Sequence, residues 1–171
     1  WRKGPDIFLQ TARELRQITN ESFHFVWIGD GEDKQELELS LTPREREYIS
    51  FVGHRENADL LLAAADIFFL SSREDPFPLV VLLSAQHCVP TICFKNNTGI
   101  DDFIKTDAGI CLDDQNAALT AQKIHELMKD RDLINILGKN AQHRLLSSYT
   151  TEIKMIEVFE AVRGNTDYIT L

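Results

Sequence analysis

The 171 residues, 43% hydrophobic and 26% charged, have the proportions of one soluble globular domain long enough to bury a substantial core. Eighteen Lys and Arg against 27 Asp and Glu give a formal charge of -9, which argues against a broad electrostatic surface for nucleic acid or anionic lipid. A phosphate ligand therefore needs a local basic site. No apolar run approaches the roughly 20 residues of a membrane span. Trp1-Arg2-Lys3-Gly4-Pro5 does not resemble a signal peptide, and the abrupt entry into a helix suggests a natural start further upstream.

In chain order, Pro5 and Asp6 open a helix whose apolar residues Ile7, Phe8, Ala12, Leu15 and Ile18 recur at helical spacing up to Thr19. The period then changes: 23–28 is short, aromatic and β-branched, and stops at Gly29-Asp30-Gly31, a strand feeding a turn. A charged helical stretch over 32–47, broken near Thr42-Pro43, is a solvated surface. The alternation repeats as strand 49–53, helix 58–65, strand 67–70, helix 79–87, strand 91–94, strand 109–112 and helix 116–128. From 132 to 163 the pattern is helical, with one break at 147–150. Strands apolar throughout and alternating with helices predict an α/β, Rossmann-like doubly wound parallel sheet with a C-terminal helical pair. Cys88, Cys93 and Cys111 are an odd set without metal-ligand spacing in apolar sequence, so they read as buried free thiols of a reducing compartment. No metal or cofactor is expected.

Open parallel sheets bind ligands at the carboxyl ends of their strands. Reading the residues just after each strand gives Gly29-Asp30-Gly31, Gly53-His54-Arg55, Ser71-Ser72-Arg73-Glu74-Asp75-Pro76-Phe77-Pro78 and Lys95-Asn96-Asn97-Thr98-Gly99. The first lacks the third glycine of the dinucleotide fingerprint, since position 34 is Lys, and a nicotinamide cofactor is set aside. Gly29, Gly31 and Gly53 supply either turn freedom or close backbone approach to a ligand. The segment from Ser71 to Pro90 is the most specific: a polar loop with two prolines runs into an apolar helix, whose first free N–H groups would face the crevice and hold a diphosphate. Pro78 has no N–H, so those donors begin at Leu79 and Val80. Asp75 beside them would accept from sugar hydroxyls or help cap the helix. Of the five histidines only His54 sits at a strand end; the others read as surface or helix-face residues.

The run from Ser71 to Leu82, with Val89-Pro90 following, resembles the signature of the retaining GT-B glycosyltransferases of family four. Arg2-Lys3-Gly4 resembles that family's Lys-Gly element, Phe25 to Gly31 and Phe51-Val52-Gly53 its strand-turn pieces, and Thr98 to Ile104 its glycine-rich loop, so the likeness covers nearly the whole chain. It implies the donor-binding, C-terminal half of a GT-B enzyme, one domain over 1–171, with the acceptor-binding N-terminal domain and the family's first strand absent from this chain. The implied activity is transfer of a hexosyl-type sugar from a nucleotide diphosphate donor to an acceptor hydroxyl with retention, the fragment alone being inactive. Lys3, with Arg2, would pair with the diphosphate, and Asp75 would contact the donor sugar. Ser72 and the backbone of Phe77, Pro78, Leu79 and Val80 would line the sugar and diphosphate, and Gly53-His54 would lie near the base. The resemblance implies a cytoplasmic enzyme, or one peripheral to the inner membrane face through its other domain.

Three departures stand out. Leu83, eight residues after Asp75, occupies the place of the glutamate that holds the ribose in the family, and a leucine cannot accept a hydrogen bond. Cys88 replaces the glycine before Val89-Pro90, and the arginine or small residues that precede the Lys-Gly element are absent. A degenerate domain kept for binding or assembly is the rival reading that Leu83 supports, and a nucleotide-sugar epimerase ranks below both.

Overall fold

The computed structural model of the chain describes residues 1–156. Gly4 takes a left-handed backbone, φ 65°, and turns the chain into helix α1 (Pro5–Ile18). Pro5 suits this start because its missing N–H would have no helical partner in the first turn. Strand β1 (Phe25–Ile28) follows, then α2 (Lys34–Ser40), a 3-10 turn (Glu45–Glu47) and β2 (Ile49–Gly53). Next come α3 (Ala58–Ala63), β3 (Phe68–Phe69), α4 (Leu79–Gln86) and β4 (Thr91–Phe94). The remainder is α5 (Asp101–Ile104), β5 (Gly109–Leu112), α6 (Ala117–Met128) and α7 (Arg131–Ser148), with helix resuming over 151–156. Residues 157–163 of the expected last helix lie outside the described residues.

All strand pairs are parallel, as the α/β alternation predicts, but they hydrogen-bond in two groups, β1-β2 and β3-β4-β5. The expected single ladder is therefore divided between β1 and β3. The layer is still held together by side chains: the Phe8 ring of α1 lies 5.1 Å from Phe25 and 5.3 Å from Trp27 of β1, and 6.3 Å from Phe69 of β3. The strand expected over 67–70 shortens to Phe68–Phe69, although the Leu70 N–H still donates to the Ile92 carbonyl.

β4 is the centre of the larger sheet and is buried along its whole length. Its side chains alternate between faces. Ile92 packs with Leu15 of α1, Ala121 and Ile124 of α6 and Ile134 and Leu137 of α7. Cys93 packs on the other face with Val81 and Ala85 of α4, Phe103 and Ile104 of α5 and Ala141 of α7. The one hydroxyl pair in this buried layer, Ser84 with Thr91, is mutually satisfied at 3.1 Å. Two devices seat the last helices. Asn116 and Asp130 accept from the third backbone N–H after them and cap α6 and α7. Gly138 lets α7 approach the end of α4, for a Cβ there would stand 1.9 Å from the Cys88 carbonyl oxygen. The short helix α5 was not anticipated, since four residues are too few to show a period.

The small sheet is clamped to α1 by charge as well as by Leu9, Ala12, Tyr48, Ile49 and Phe51. Glu45 accepts from Arg13 Nε at 2.6 Å, from the Thr42 N–H at 2.7 Å and from Thr42 Oγ1 at 2.8 Å. These bonds, the Arg13 one foremost, hold its carboxyl at about 2 against an ordinary 4.5. A depressed folded-state value contributes stability that is complete above the unfolded value and is lost as pH falls through the folded one. Glu45→Gln should therefore cost about 1–3 kcal/mol above pH 5. Urea unfolding at stepped pH should show this gap closing toward pH 2; a gap independent of pH would rule out the ionised Glu45 as its source.

Candidate active site

The carboxyl ends of the strands carry two clusters. In the first, residues 1–4 are sewn onto the loop after β3. The Arg73 N–H donates to the Arg2 carbonyl at 2.9 Å and Ser71 Oγ to the Lys3 carbonyl at 3.0 Å. Arg73 Nη1 reaches the Trp1 carbonyl at 2.9 Å, and both terminal nitrogens of Arg73 bond Asp6, at 2.8 and 2.6 Å. Arg73 thereby holds the Asp6 carboxyl below its ordinary range, and Asp6 raises Arg73 in return. A Cβ at Gly4 would stand 2.1 Å from the Ser71 carbonyl oxygen, so only glycine permits this contact.

That seam brings Lys3 onto Asp75 as an ion pair. The Asp75 side chain is 11% exposed and that of Lys3 50%, so the carboxylate is enclosed while the ammonium faces outward. The backbone of Asp75 is fixed from the far side: its N–H donates to the Asn97 carbonyl at 3.0 Å and its carbonyl accepts from Gly99 at 3.2 Å. Asp75 does not cap α4, whose N-cap is Pro78 with no side-chain bond. The first N–H groups of α4, at Leu79 and Val80, have no helical partner by geometry, and Phe77, Leu79 and Val80 are exposed beside them. Ser72 is buried, and its carbonyl accepts from Gln115. Leu83 is half-buried on α4 and stands outside the packed apolar clusters.

The second cluster joins the ends of β1 and β2. The Gly29 N–H donates to the Gly53 carbonyl at 2.9 Å, Asp30 Oδ2 accepts from the His54 N–H at 3.0 Å, and Lys34 Nζ donates to Asp30 Oδ1 at 2.9 Å. Lys34 and the His54 N–H hold the Asp30 carboxyl below its ordinary range. Gly53, at φ 72°, sits in the left-handed region that favours glycine, and a Cβ there would also press on the flexible end of Lys34, 2.8 Å from its Nζ. Gly31 is not required by packing, since its Cβ direction is open. The structure thus brings Lys3 to Asp75 and Gly29 to Gly53-His54, while no described contact engages the Arg2 side chain.

Asp30, Lys34, Arg73 and Asn97 were not singled out in the sequence. Asp30 and Lys34 could have been, from their i,i+4 spacing; Arg73 and Asp6 stand 67 residues apart and only folding joins them. The open depressions of about 580 and 220 Å³ lined by Gln17–Glu21 with His125, and by Arg16, Phe23 and Tyr48, lie at the opposite, amino ends of the strands.

With this geometry in view, the sequence profile of the family described as glycosyl transferases group 1 matches residues 1–144. The chain belongs to that family. Among curated relatives of this group 1 domain, it is 28% identical over 153 residues to the GalNAc-alpha-(1->4)-GalNAc-alpha-(1->3)-diNAcBac-PP-undecaprenol alpha-1,4-N-acetyl-D-galactosaminyltransferase of Campylobacter jejuni, covering 89% of this chain and 42% of that one. A second relative from the same organism, N,N'-diacetylbacillosaminyl-diphospho-undecaprenol alpha-1,3-N-acetylgalactosaminyltransferase, is 31% identical over 142 residues, 82% of this chain and 36% of that one. The chain therefore spans about two fifths of the length of these relatives. TarM superposes with a TM-score of 0.84 at 20% identity, over 93% of this chain and 32% of that one. The C-terminal domain of a glycosyl transferase group 1 family protein from Francisella tularensis superposes at 0.72 with 19% identity, over 88% of this chain and 81% of that domain. The fold is that of the C-terminal half of a GT-B glycosyltransferase.

For this group 1 domain the Asp30 latch gives a direct test. Gly53→Ala should strain the left-handed residue by about 1–2 kcal/mol and push Lys34 off Asp30. Urea unfolding should report the loss, and hydrogen exchange should show the His54 amide deprotected. Unchanged stability and exchange would show that the latch does not depend on Gly53.

Proposed function

We propose that this domain binds the nucleotide diphosphate sugar of a retaining glycosyltransferase, the rest of the protein supplying the acceptor site. The observation that carries the reading is Lys3 paired with the enclosed Asp75 beside the open N-terminus of α4. A diphosphate placed there meets a half-exposed ammonium and the Leu79 and Val80 N–H groups at the positive end of a helix. Asp75 repels phosphate and accepts from sugar hydroxyls, so the pair orients a donor with its phosphates toward Lys3 and its sugar toward Asp75. As the glycosidic bond breaks, negative charge grows on the leaving phosphate, and Lys3, Arg2 and the helix terminus stabilise it. Closure of the acceptor domain over the crest would exclude water that otherwise hydrolyses the donor. His54, whose N–H is fixed by Asp30, lies toward the base.

The inner edges of β1 and β3 support a preceding half. The Trp1 carbonyl is held by Arg73, after β3. A parallel strand entering from upstream would run between those edges into Trp1 and join the two sheets. Among the described residues no helix is long and apolar enough to cross a membrane; the reading places the enzyme in the cytoplasm or at the inner membrane face.

The rival, a domain that binds or assembles without transfer, rests on Leu83. UDP-sugars are the first donors to titrate, since HepE of Anabaena, a fold neighbour with a TM-score of 0.76 and 19% identity, was solved in complex with UDP. Lys3→Ala should weaken nucleotide diphosphate binding about ten- to a hundredfold by calorimetry, the loss expected for one charge-assisted contact. Unchanged affinity in a folded variant would reduce Lys3 to a partner of Asp75 alone.

Leu83 gives the complementary test. Because it stands outside the packed clusters, a carboxylate introduced there is not forced into the core. Leu83→Glu should bind the ribose donor roughly tenfold tighter and discriminate against the 2′-deoxyribose donor. A variant of unchanged thermal stability with neither gain would remove position 83 from the ribose pocket.

A further inference from the structure

Cys93 and Cys111 are 18 residues apart and look unrelated in the sequence, but the parallel register of β4 and β5 sets them directly opposite each other. Opposed residues of a parallel pair project to the same face. The two sulfurs are 3.3 Å apart, and Cys93 is fully buried. A third group reaches them from the start of α5. Asp101 Oδ2 accepts from the Asn96 N–H at 2.8 Å, while its Oδ1 is enclosed and has no hydrogen-bond partner. The two sulfurs and the carboxylate oxygen all lie within 4.8 Å of one another.

A buried carboxylate oxygen without a donor is costly, and nearby sulfurs are poor donors to it. One cation would resolve this: it would ligate both sulfurs as thiolates and give Oδ1 its missing partner. In a tetrahedral zinc site, bonds of about 2.3 Å to sulfur and 2.0–2.2 Å to oxygen set ligand atoms roughly 3.5–3.8 Å apart. The sulfurs, 3.3 Å apart, stand slightly closer than that, and the carboxylate oxygen lies within 4.8 Å of both, so side-chain adjustments on the order of 1 Å would close the site around an ion. Two thiolates select a borderline-soft ion over magnesium or calcium. Cys111 and Asp101 are half-buried, which gives the ion an approach, and three protein ligands leave a fourth position for water.

We propose that Cys93, Cys111 and Asp101 form a binding site for one thiophilic divalent cation of the zinc class. Its role is structural. The ion would join β4, β5 and α5, and through Asp101 it would brace the turn at Asn96, whose φ is 60°. That turn leads into Asn97, whose carbonyl accepts from the Asp75 N–H. Occupancy would therefore stiffen the loop that holds Asp75, whatever donor the crest takes.

The test is to titrate the reduced, chelator-stripped full chain with Zn(II) and Co(II). The expected result is one equivalent bound, with a thiolate-to-cobalt charge-transfer band and a rise in Tm on adding zinc. Cys111→Ala should abolish all three, the near-isosteric Asp101→Asn should weaken the affinity at least tenfold, and Cys88→Ala should change nothing. Wild-type binding no tighter than that of Cys111→Ala would overturn the site, as would an equivalent retained by the Cys93→Ala, Cys111→Ala double variant. So would a reduced chain indifferent to metal whose two thiols close a disulfide on exposure to peroxide, two thiols and one peroxide giving the disulfide and two waters. Circular dichroism of each variant separates loss of the site from loss of the fold, and the wild-type titration stands whatever the variants do.

Discussion

The contact on which the site depends is the seam between the N-terminal turn and the loop after β3. Gly4 comes so close to the Ser71 carbonyl that no side chain could be accommodated, and Arg73 gathers the Trp1 carbonyl, the Arg2 carbonyl and Asp6 around itself. Because the Arg73 side chain is largely covered, its guanidinium bonds to the Asp6 carboxylate and the Trp1 carbonyl are charge-assisted in partly desolvated surroundings. Without the seam, Lys3 would be a solvated lysine near a chain end and Asp75 an enclosed carboxylate without its cation.

The division of the sheet has its own consequence. β4 is buried on both faces and carries the two main cores, whereas β1 and β3 are only partly covered. Val26 is exposed although it is β-branched and apolar, and such a residue belongs in a covered strand. The aromatic bridge from Phe8 maintains the spacing across the division with side chains where backbone pairing is lacking. Functional loops at the carboxyl ends are then positioned by packing from α1 and α4 as much as by the strands.

Most of the element order was legible because its signals are local. The strands at 49–53, 91–94 and 109–112 fall where short β-branched runs end at glycine or polar residues, and β4 and β5 match residue for residue. Asn116 marks the start of α6 as a capping residue should. The short elements fared less well: β3 is trimmed to two residues and α5 went unseen, since neither is long enough to display a period. The division between β1 and β3 was illegible for another reason, as an apolar strand reads alike whether both its edges are paired or one is.

The sequence by itself determined the α/β alternation, the placing of Gly53 and Asp75 after strands and of Leu83 on the helix behind them, and a lack of positive charge that forces any phosphate site to be local. Those properties rest on propensity, periodicity and composition, which act over a few residues. Only the tertiary structure decided that Lys3 meets Asp75, that Arg73 and not Arg2 holds the turn, that Asp30 fixes the His54 backbone, and that Cys93, Cys111 and Asp101 converge. Each of these depends on strand register or on a close backbone approach between segments distant in sequence, and neither is encoded in the spacing of residues along the chain.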